Sequence, residues 1–385
     1  MLSIKLAFRN LVGAGKRAWL NIIVLSIVYV MIIFMVGMIK GVFGGIEHDT
    51  QVMEYGNGQY WSEDYDPHDP INLRDYHQSY TQYKAYFTPD VAAPILITPA
   101  TVYTEGRSSG ALLKGIVPEQ TVMQMPTEKL LTKSNYIPAM IGKQMAKHAN
   151  LAEGDIITLQ VRDKKGVFDA VDAEVVYIMQ HDIQTVDNGQ IWIPLDELQD
   201  LLGMKNEATL ITVSEDFDHQ ISGWEFKDLD FLLADIRLLT FQKSTGAAIM
   251  YVMMLGMAAM SIFDTQMLAV FRRKKEIGTL IALGMTQRHV KALFTIEGIY
   301  YAILGIAIGL VYGIPLLLYT SIKGINYGSF AEDMGVNLGS IIYPEVSLSL
   351  IINVTIVVAV IIMVVSYLPA RSISKLNPTQ VLKGK

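Results

Sequence analysis

The side chains most able to do chemistry in this 385-residue sequence lie in a glycine–lysine turn and an acidic loop. The turn Val12-Gly-Ala-Gly-Lys16-Arg17 invites a phosphate-cradling reading. A phosphate loop needs a glycine five positions before its Gly-Lys pair and a Ser or Thr after it. Asn10 and Arg17 stand there, so a basic turn is the reading, and nucleotide hydrolysis must come from another chain. The acidic run Glu63-Asp-Tyr-Asp66-Pro-His68-Asp69 offers oxygens to a hard cation. It lacks the glycine and the terminal glutamate of a calcium loop, and two prolines stiffen it, so it reads as a solvated loop. The seven histidines show no His-x-x-x-His spacing, which argues against zinc. With no cysteine, thiol catalysis, cysteine-held metals and disulfides are excluded. No serine stands in a Gly-x-Ser-x-Gly context. The chain is expected to be no enzyme and to bind no cofactor or metal.

Three other patterns are informative. Gly305, Gly309 and Gly313 recur every four residues, a smooth helix face that a second helix can approach closely. Met250, Met253, Met257, Met260 and Met267 share one helical face, and so do Met31, Met35 and Met38. Methionine is flexible and polarizable and suits surfaces that accept varied apolar partners. The two stripes serve lipid contact and packing, or they line a cavity for a lipidic substrate. Asp264 falls on the longer stripe. An acid in a membrane span is costly unless it finds a partner or water, and Asp264 lies eight residues before Arg272, about 12 Å along a helix. A polar contact is its expected role.

The elements that must position these residues are four stretches near the 20 apolar residues a bilayer crossing needs. They cover 18–43, 245–270, 299–320 and 347–369. Apolar residues make up 51% of the chain and charged ones only 18%, against about a quarter charged in a soluble domain. The first stretch is too long for a signal-peptide core and reads as an uncleaved anchor. Pro315 is expected to bend the third.

Charge orients the spans. An amphipathic segment 1–17 carries Lys5, Arg9, Lys16 and Arg17 without an acid; 271–298 carries Arg272, Arg273, Lys274, Lys275, Arg288 and Lys291; the tail 370–385 carries Arg371, Lys375, Lys383 and Lys385. By the positive-inside rule these face the cytoplasm, with both termini inside. Residues 44–244 then form an outer domain, and 321–346 a short outer loop carrying Glu332, Asp333 and Glu345. The net charge of −6 averages an acidic outer domain and a basic inner face. That basic patch points to anionic lipid and a protein partner, not nucleic acid.

Within the outer domain, 49–86 is rich in turn formers. Strand-length β-branched runs follow at 95–98, 156–161, 173–178, 190–193 and 210–213, with short helices at 141–150 and 195–202. The expected fold is an integral membrane α-helical protein with four transmembrane helices and a large α+β domain inserted between helices 1 and 2.

Between the second and third spans runs Phe271-Arg-Arg-Lys-Lys-Glu276-Ile277-Gly278-Thr-Leu-Ile-Ala282-Leu283-Gly284. Ile277, Leu280, Ile281 and Leu283 are expected to share a hydrophobic face with the basic run behind it, in a short amphipathic helix fit for a membrane surface or a partner's groove. This segment resembles the FtsX-like permeases of ABC transporters, which share a basic run, Glu-Ile-Gly, Ala-Leu-Gly and then Glu-Gly, here Glu297-Gly298. The ending Leu368-Pro-Ala-Arg371, Leu376-Asn-Pro378 and Val381-Leu382 resembles that family too, as do Lys114-Gly-Ile-Val-Pro118 and Asp187 through Pro194 in the outer domain. Those phrases and Gly56-Asn-Gly58-Gln are closer to the lipoprotein-releasing (LolC/LolE-like) branch than to MacB-type efflux. Asp264 departs from efflux-type relatives, which tend to carry asparagine there.

The resemblance implies a permease subunit in a cell inner membrane, its large domain periplasmic, paired with itself or a paralogue. It further implies a cytoplasmic ATPase dimer that holds the ATP and magnesium. Glu276, Ile277, Gly278, Ala282, Leu283 and Gly284 would be the coupling contact, and the methionine stripes with Asp264 would enclose lipid-anchored cargo. A periplasmic lipoprotein carrier or a fusion protein is a further implied partner, for which loop 49–86 is a candidate contact. Three functions follow: lipoprotein release, MacB-type efflux of peptide, toxin or antibiotic, or non-transporting control of a cell-wall hydrolase. The size of the outer domain argues against the third.

Overall fold

A computed structural model describes residues 16–69, 73–104, 107–179, 189–326 and 341–372. Nearly all of segment 1–17, the tail beyond Ser372, and Asp187, Glu332 and Asp333 lie outside them. The described residues fall into a helical unit built from 16–42, 240–325 and 342–372, and an α+β unit built from 43–239 together with 326 and 341.

Helix α1 spans Lys16–Thr50 and passes into one π-helical turn, Gln51–Tyr55. It is longer than span 18–43 because backbone hydrogen bonding continues through residues too polar for hydrocarbon, so the expected loop at 49–86 opens only after Tyr55. The turn out of it needs glycine. Gly56 sits at φ +56°, and a Cβ there would lie 2.8 Å from the Val213 carbonyl oxygen, a geometry and a proximity that only glycine tolerates cheaply.

The α+β unit then adds β1 (Gly58–Trp61), β2 (Gln78–Ser79), β3 (Ala92–Thr104), β4 (Arg107–Ile116) and β5 (Ile137–Gly142). Helix α2 (Lys143–Ala149), β6 (Ile156–Arg162), β7 (Phe168–Met179), β8 (Gln190–Pro194) and α3 (Leu195–Leu202) follow. The unit ends with β9 (Glu207–Ala208), β10 (Leu210–Val213), β11 (Glu225–Lys227) and α4 (Leu229–Leu232). Helix α2 starts two residues later than expected because Ile141 and Gly142 finish β5.

The main sheet runs β11-β1-β10-β3-β4-β8-β5-β7-β6, and β3 also pairs with β6, closing six strands into a ring. The 13-residue β3 makes this possible: its first residues pair with β10, and Thr101, Val102 and Tyr103 pair with β6. Strand β8 explains its own continuous apolar run. Ile191 and Ile193 enter one core with Leu113, Leu159 and Leu198, while Trp192, on the alternate face, enters another with Met53, Ile116 and Met140. A strand covered on both faces reads as unbroken hydrophobicity.

Near Trp192 lies a buried ion pair, Lys114 Nζ to Glu54 Oε1 at 3.1 Å, with side chains 7% and 14% exposed. The ammonium also stands 4.8 Å from the Trp192 ring centre. Strand β1 follows α1 directly and pairs with β11, which leads through α4 into the next long helix. Arg237 on that helix bonds Glu47 (2.8 Å) and Asp230 (2.6 Å).

The helical unit continues with α5 (Ala234–Arg272), α6 (Lys274–Ala282), α7 (Gln287–Lys323) and α8 (Leu348–Ser372). Helices α1, α5, α7 and α8 are long and apolar enough to cross a membrane. Helix α5 begins well before Thr245, where apolar residues take over. Pro315 lies inside α7.

Candidate functional site

The helical unit is built on α1. Gly305, Gly309 and Gly313 of α7 are buried against it, and a Cβ at each would meet Leu25 at 2.9 Å, Tyr29 at 2.8 Å and Val30 at 2.6 Å. On α8, Thr355 Oγ1 lies 2.7 Å from Tyr29 Oη. On α5, Thr265 Oγ1 accepts from Asn21 Nδ2 at 2.7 Å, and Ser261 Oγ donates to Asn21 Oδ1 at 2.9 Å. Such contacts give specificity where lipid tails supply no hydrophobic force between helices.

A second polar knot joins α5, α7 and α8. Oriented to satisfy its neighbours, the Gln266 carboxamide oxygen accepts from Ser366 Oγ at 3.3 Å and from Gly298 N–H at 3.2 Å, and its nitrogen donates to the Ser366 carbonyl at 3.2 Å. A Cβ at Gly298 would lie 2.2 Å from both Ser366 Oγ and the end of that carboxamide.

Helix α5 buries Leu255, Ala258, Ala259, Ile262, Gln266 and Val270. Its opposite side exposes Met250, Met253, Met257 (75%) and Met260. Asp264 is exposed on that side too. On α1, Met31 is exposed, while Met35 and Met38 are half-buried. Within one chain the longer stripe is therefore outer surface, and enclosing it takes a second surface. A narrow apolar crevice with no room for a water molecule lies elsewhere, between Tyr29 and Val30 of α1, Gly309 and Gly313 of α7, and Ile351 of α8.

The segment after α5 is set by one residue. Arg273 leaves the helical backbone (φ −98°, ψ 16°), and α6 starts at Lys274. Gly284, at φ +94°, turns the chain back, and the Thr286 side chain accepts from His289 N–H to cap α7, a standard N-terminal cap. Ile277 is 1% exposed and packs with Val270, Val290, Phe294 and Ala370, and Ile281 lies against them. Gly278 is buried too, while Glu276, Thr279, Ala282, Leu283 and Gly284 are exposed, Leu283 to 80%.

The expected common face of Ile277, Ile281 and Leu283 is thereby corrected. Six residues separate Ile277 from Leu283, about 240° around a helix, so Leu283 points outward when Ile277 points in. The Leu280 side chain lies outside the described residues.

Sequence reasoning missed the Arg273 contacts. Its Nε lies 2.8 Å from Glu276 Oε2 and its Nη1 lies 3.2 Å from Glu297 Oε2. The guanidinium covers the Phe294 ring at 5.1 Å. The available signal was two acids, Glu276 and Glu297, standing among a dense basic run and the opening of an apolar span. Among the described residues no group of three or more His, Asp or Glu is placed to hold a metal ion.

Known proteins share this arrangement of sequence. Residues 248–378 match the FtsX-like permease C-terminal family. An uncharacterized ABC transporter permease of Methanocaldococcus jannaschii, MJ1507, is 28% identical over 249 residues, 60% of this chain and 58% of its own length. The chain thus spans less than two thirds of that relative. The lipoprotein-releasing system transmembrane protein LolE of Haemophilus influenzae is 24% identical over 329 residues, 75% of this chain and 77% of LolE. The macrolide export ATP-binding/permease protein MacB of Campylobacter fetus is 30% identical over 121 residues, 31% of this chain and 16% of MacB. Residues 248–378 therefore form an FtsX-like permease C-terminal domain, and the proteins this chain is similar to include permeases of ABC transporters.

Proposed function

We propose that this chain is the permease subunit of a transporter that releases lipid-anchored proteins from the inner membrane, driven by ATP hydrolysis in a separate cytoplasmic ATPase dimer. In this reading both termini and α6 are cytoplasmic, and the α+β unit is periplasmic, where a lipoprotein carrier would receive the cargo. The observation that carries the release reading is the reach of the similarity to LolE, 75% of this chain, which includes much of the α+β unit. The similarity to MacB covers 31% and favours efflux only as a second reading.

Helix α6 and the turn after it offer the ATPase an apolar side chain, Leu283, beside Ala282 and Gly284. The buried Ile277 side fixes that small surface to the span ends. A few side chains that become fully desolvated in a partner's pocket carry most of an interface's energy, and Leu283 is placed to be one of them. The methionine face of α5 would meet a second permease subunit, itself or a paralogue, and the two would enclose the cargo's acyl chains. Flexible thioethers suit chains of varied length.

Depleting the protein and fractionating lipoproteins between the two membranes tests this reading. Release predicts that lipoproteins bound for the outer membrane accumulate in the inner one. An unchanged distribution, together with loss of an exported small molecule or peptide, would replace release by efflux.

A further inference from the structure

We infer that Arg273 is a positioning residue: held by the buried carboxylate of Glu297, it fixes the angle at which α6 leaves the membrane helices, so that force on α6 moves α5 and α7 as one body. This rests on the reading of α6 as an ATPase contact, but its geometry stands apart from that reading.

One guanidinium reaches three elements. Arg273 lies at the break between α5 and α6, its Nε bonds Glu276 in the first turn of α6, and its Nη1 bonds Glu297 on α7. The Phe294 ring, one turn before Glu297, has its centre 5.1 Å from the guanidinium carbon. Glu297 is 5% exposed, so its carboxylate is stable there only with a charged partner. The planar fork suits this task as lysine would not, because it serves two carboxylates in different directions while its charge lies over a ring. Ile277 supplies the apolar half of the joint. Without the fork, α6 stays attached through Ile277 but is free to swivel about it.

The test exploits the natural absence of cysteine. A spin label attached through Leu283→Cys reports the motion of α6, and one attached through Val311→Cys, also exposed on α7 (78%), is the control. In Arg273→Met, and in Glu297→Gln should the first fail to fold, the label at position 283 is expected to gain mobility while the control does not change. In the cysteine-free complex with its ATPase, both variants are expected to keep co-purification and to lose permease-stimulated ATP hydrolysis about tenfold, within the usual range of coupling between sites. Arg273→Lys should recover part of that loss. Unchanged mobility at position 283 in a folded variant would overturn the inference, as would hydrolysis that falls only in step with lost co-purification. If the unaltered protein binds no ATPase, the docking reading fails, while the label still decides whether Arg273 positions α6.

Discussion

Gly298→Ala is expected to destabilise the purified protein by about 3 kcal/mol, the upper end of the usual cost of overpacking a well-packed site. The new methyl would lie 2.2 Å from Ser366 Oγ and 2.3 Å from Ser366 Cβ. A side-chain tip can swing away, but the Cβ of Ser366 moves only if α8 moves. A shift of α8 would also disturb the bonds through which Gln266 of α5 and Ser366 of α8 satisfy each other in an apolar setting. Gly256→Ala is the control: a Cβ there meets nothing within 4 Å, and alanine is favoured over glycine in a helix by about 1 kcal/mol. Thermal unfolding in detergent should show the first variant clearly less stable and the second unchanged or improved. Equal stability of Gly298→Ala and the unaltered chain would contradict the packing of α5, α7 and α8 described above.

Lys114→Met should cost the α+β unit about 3–5 kcal/mol, the range for removing one partner of a buried ion pair. The ammonium is the charge partner of Glu54, whose second carboxylate oxygen is buried with no bond of its own. Loss of the cation leaves that carboxylate uncompensated under the Trp192 core. The double variant Lys114→Met with Glu54→Gln should recover most of the loss, because a neutral pair in an apolar site is often as stable as the ion pair it replaces. Denaturant unfolding of the three proteins measures this. A double variant no better than the single one would show that Lys114 acts through packing on Trp192 and not through charge.

Much of the architecture is legible in the sequence because hydrocarbon imposes a simple rule. A run of about 20 apolar residues must be helical when it crosses a bilayer, so all four spans coincide with observed helices. The alternation and turn chemistry of the α+β unit place Leu210–Val213 and Leu195–Leu202 as observed. Helix length is not legible in that way. Helix α1 has 35 residues, about 52 Å at 1.5 Å each, against a hydrocarbon core of about 30 Å. Hydrophobicity marks only the lipid-facing part of it.

The candidate site is legible in its polypeptide path and not in its side-chain partners. The basic run, Glu276-Ile-Gly and Gly284 announce a short helix and a turn. That Ile277 faces inward and Leu283 outward depends on where Arg273 breaks α5, and a break is a property of backbone angles. The Gln266, Gly298 and Ser366 knot and the Lys114–Glu54 pair each join residues at least 32 positions apart in the chain. Spacing rules reach only a few turns along one element, so nothing local foretells such pairs.

If α6 is the place where an ATPase transmits its work, as proposed, Leu283 offers the cleanest test of it. At 80% exposure its replacement leaves the fold intact, so Leu283→Glu isolates the contact. The decisive measurement is ATP hydrolysis by the ATPase co-purified with this chain, comparing the unaltered protein with Leu283→Glu. A charge in place of an apolar anchor should reduce both the bound ATPase and the stimulated hydrolysis by about tenfold or more, the loss of a hot-spot contact. Hydrolysis and co-purification equal to those of the unaltered protein would contradict the account.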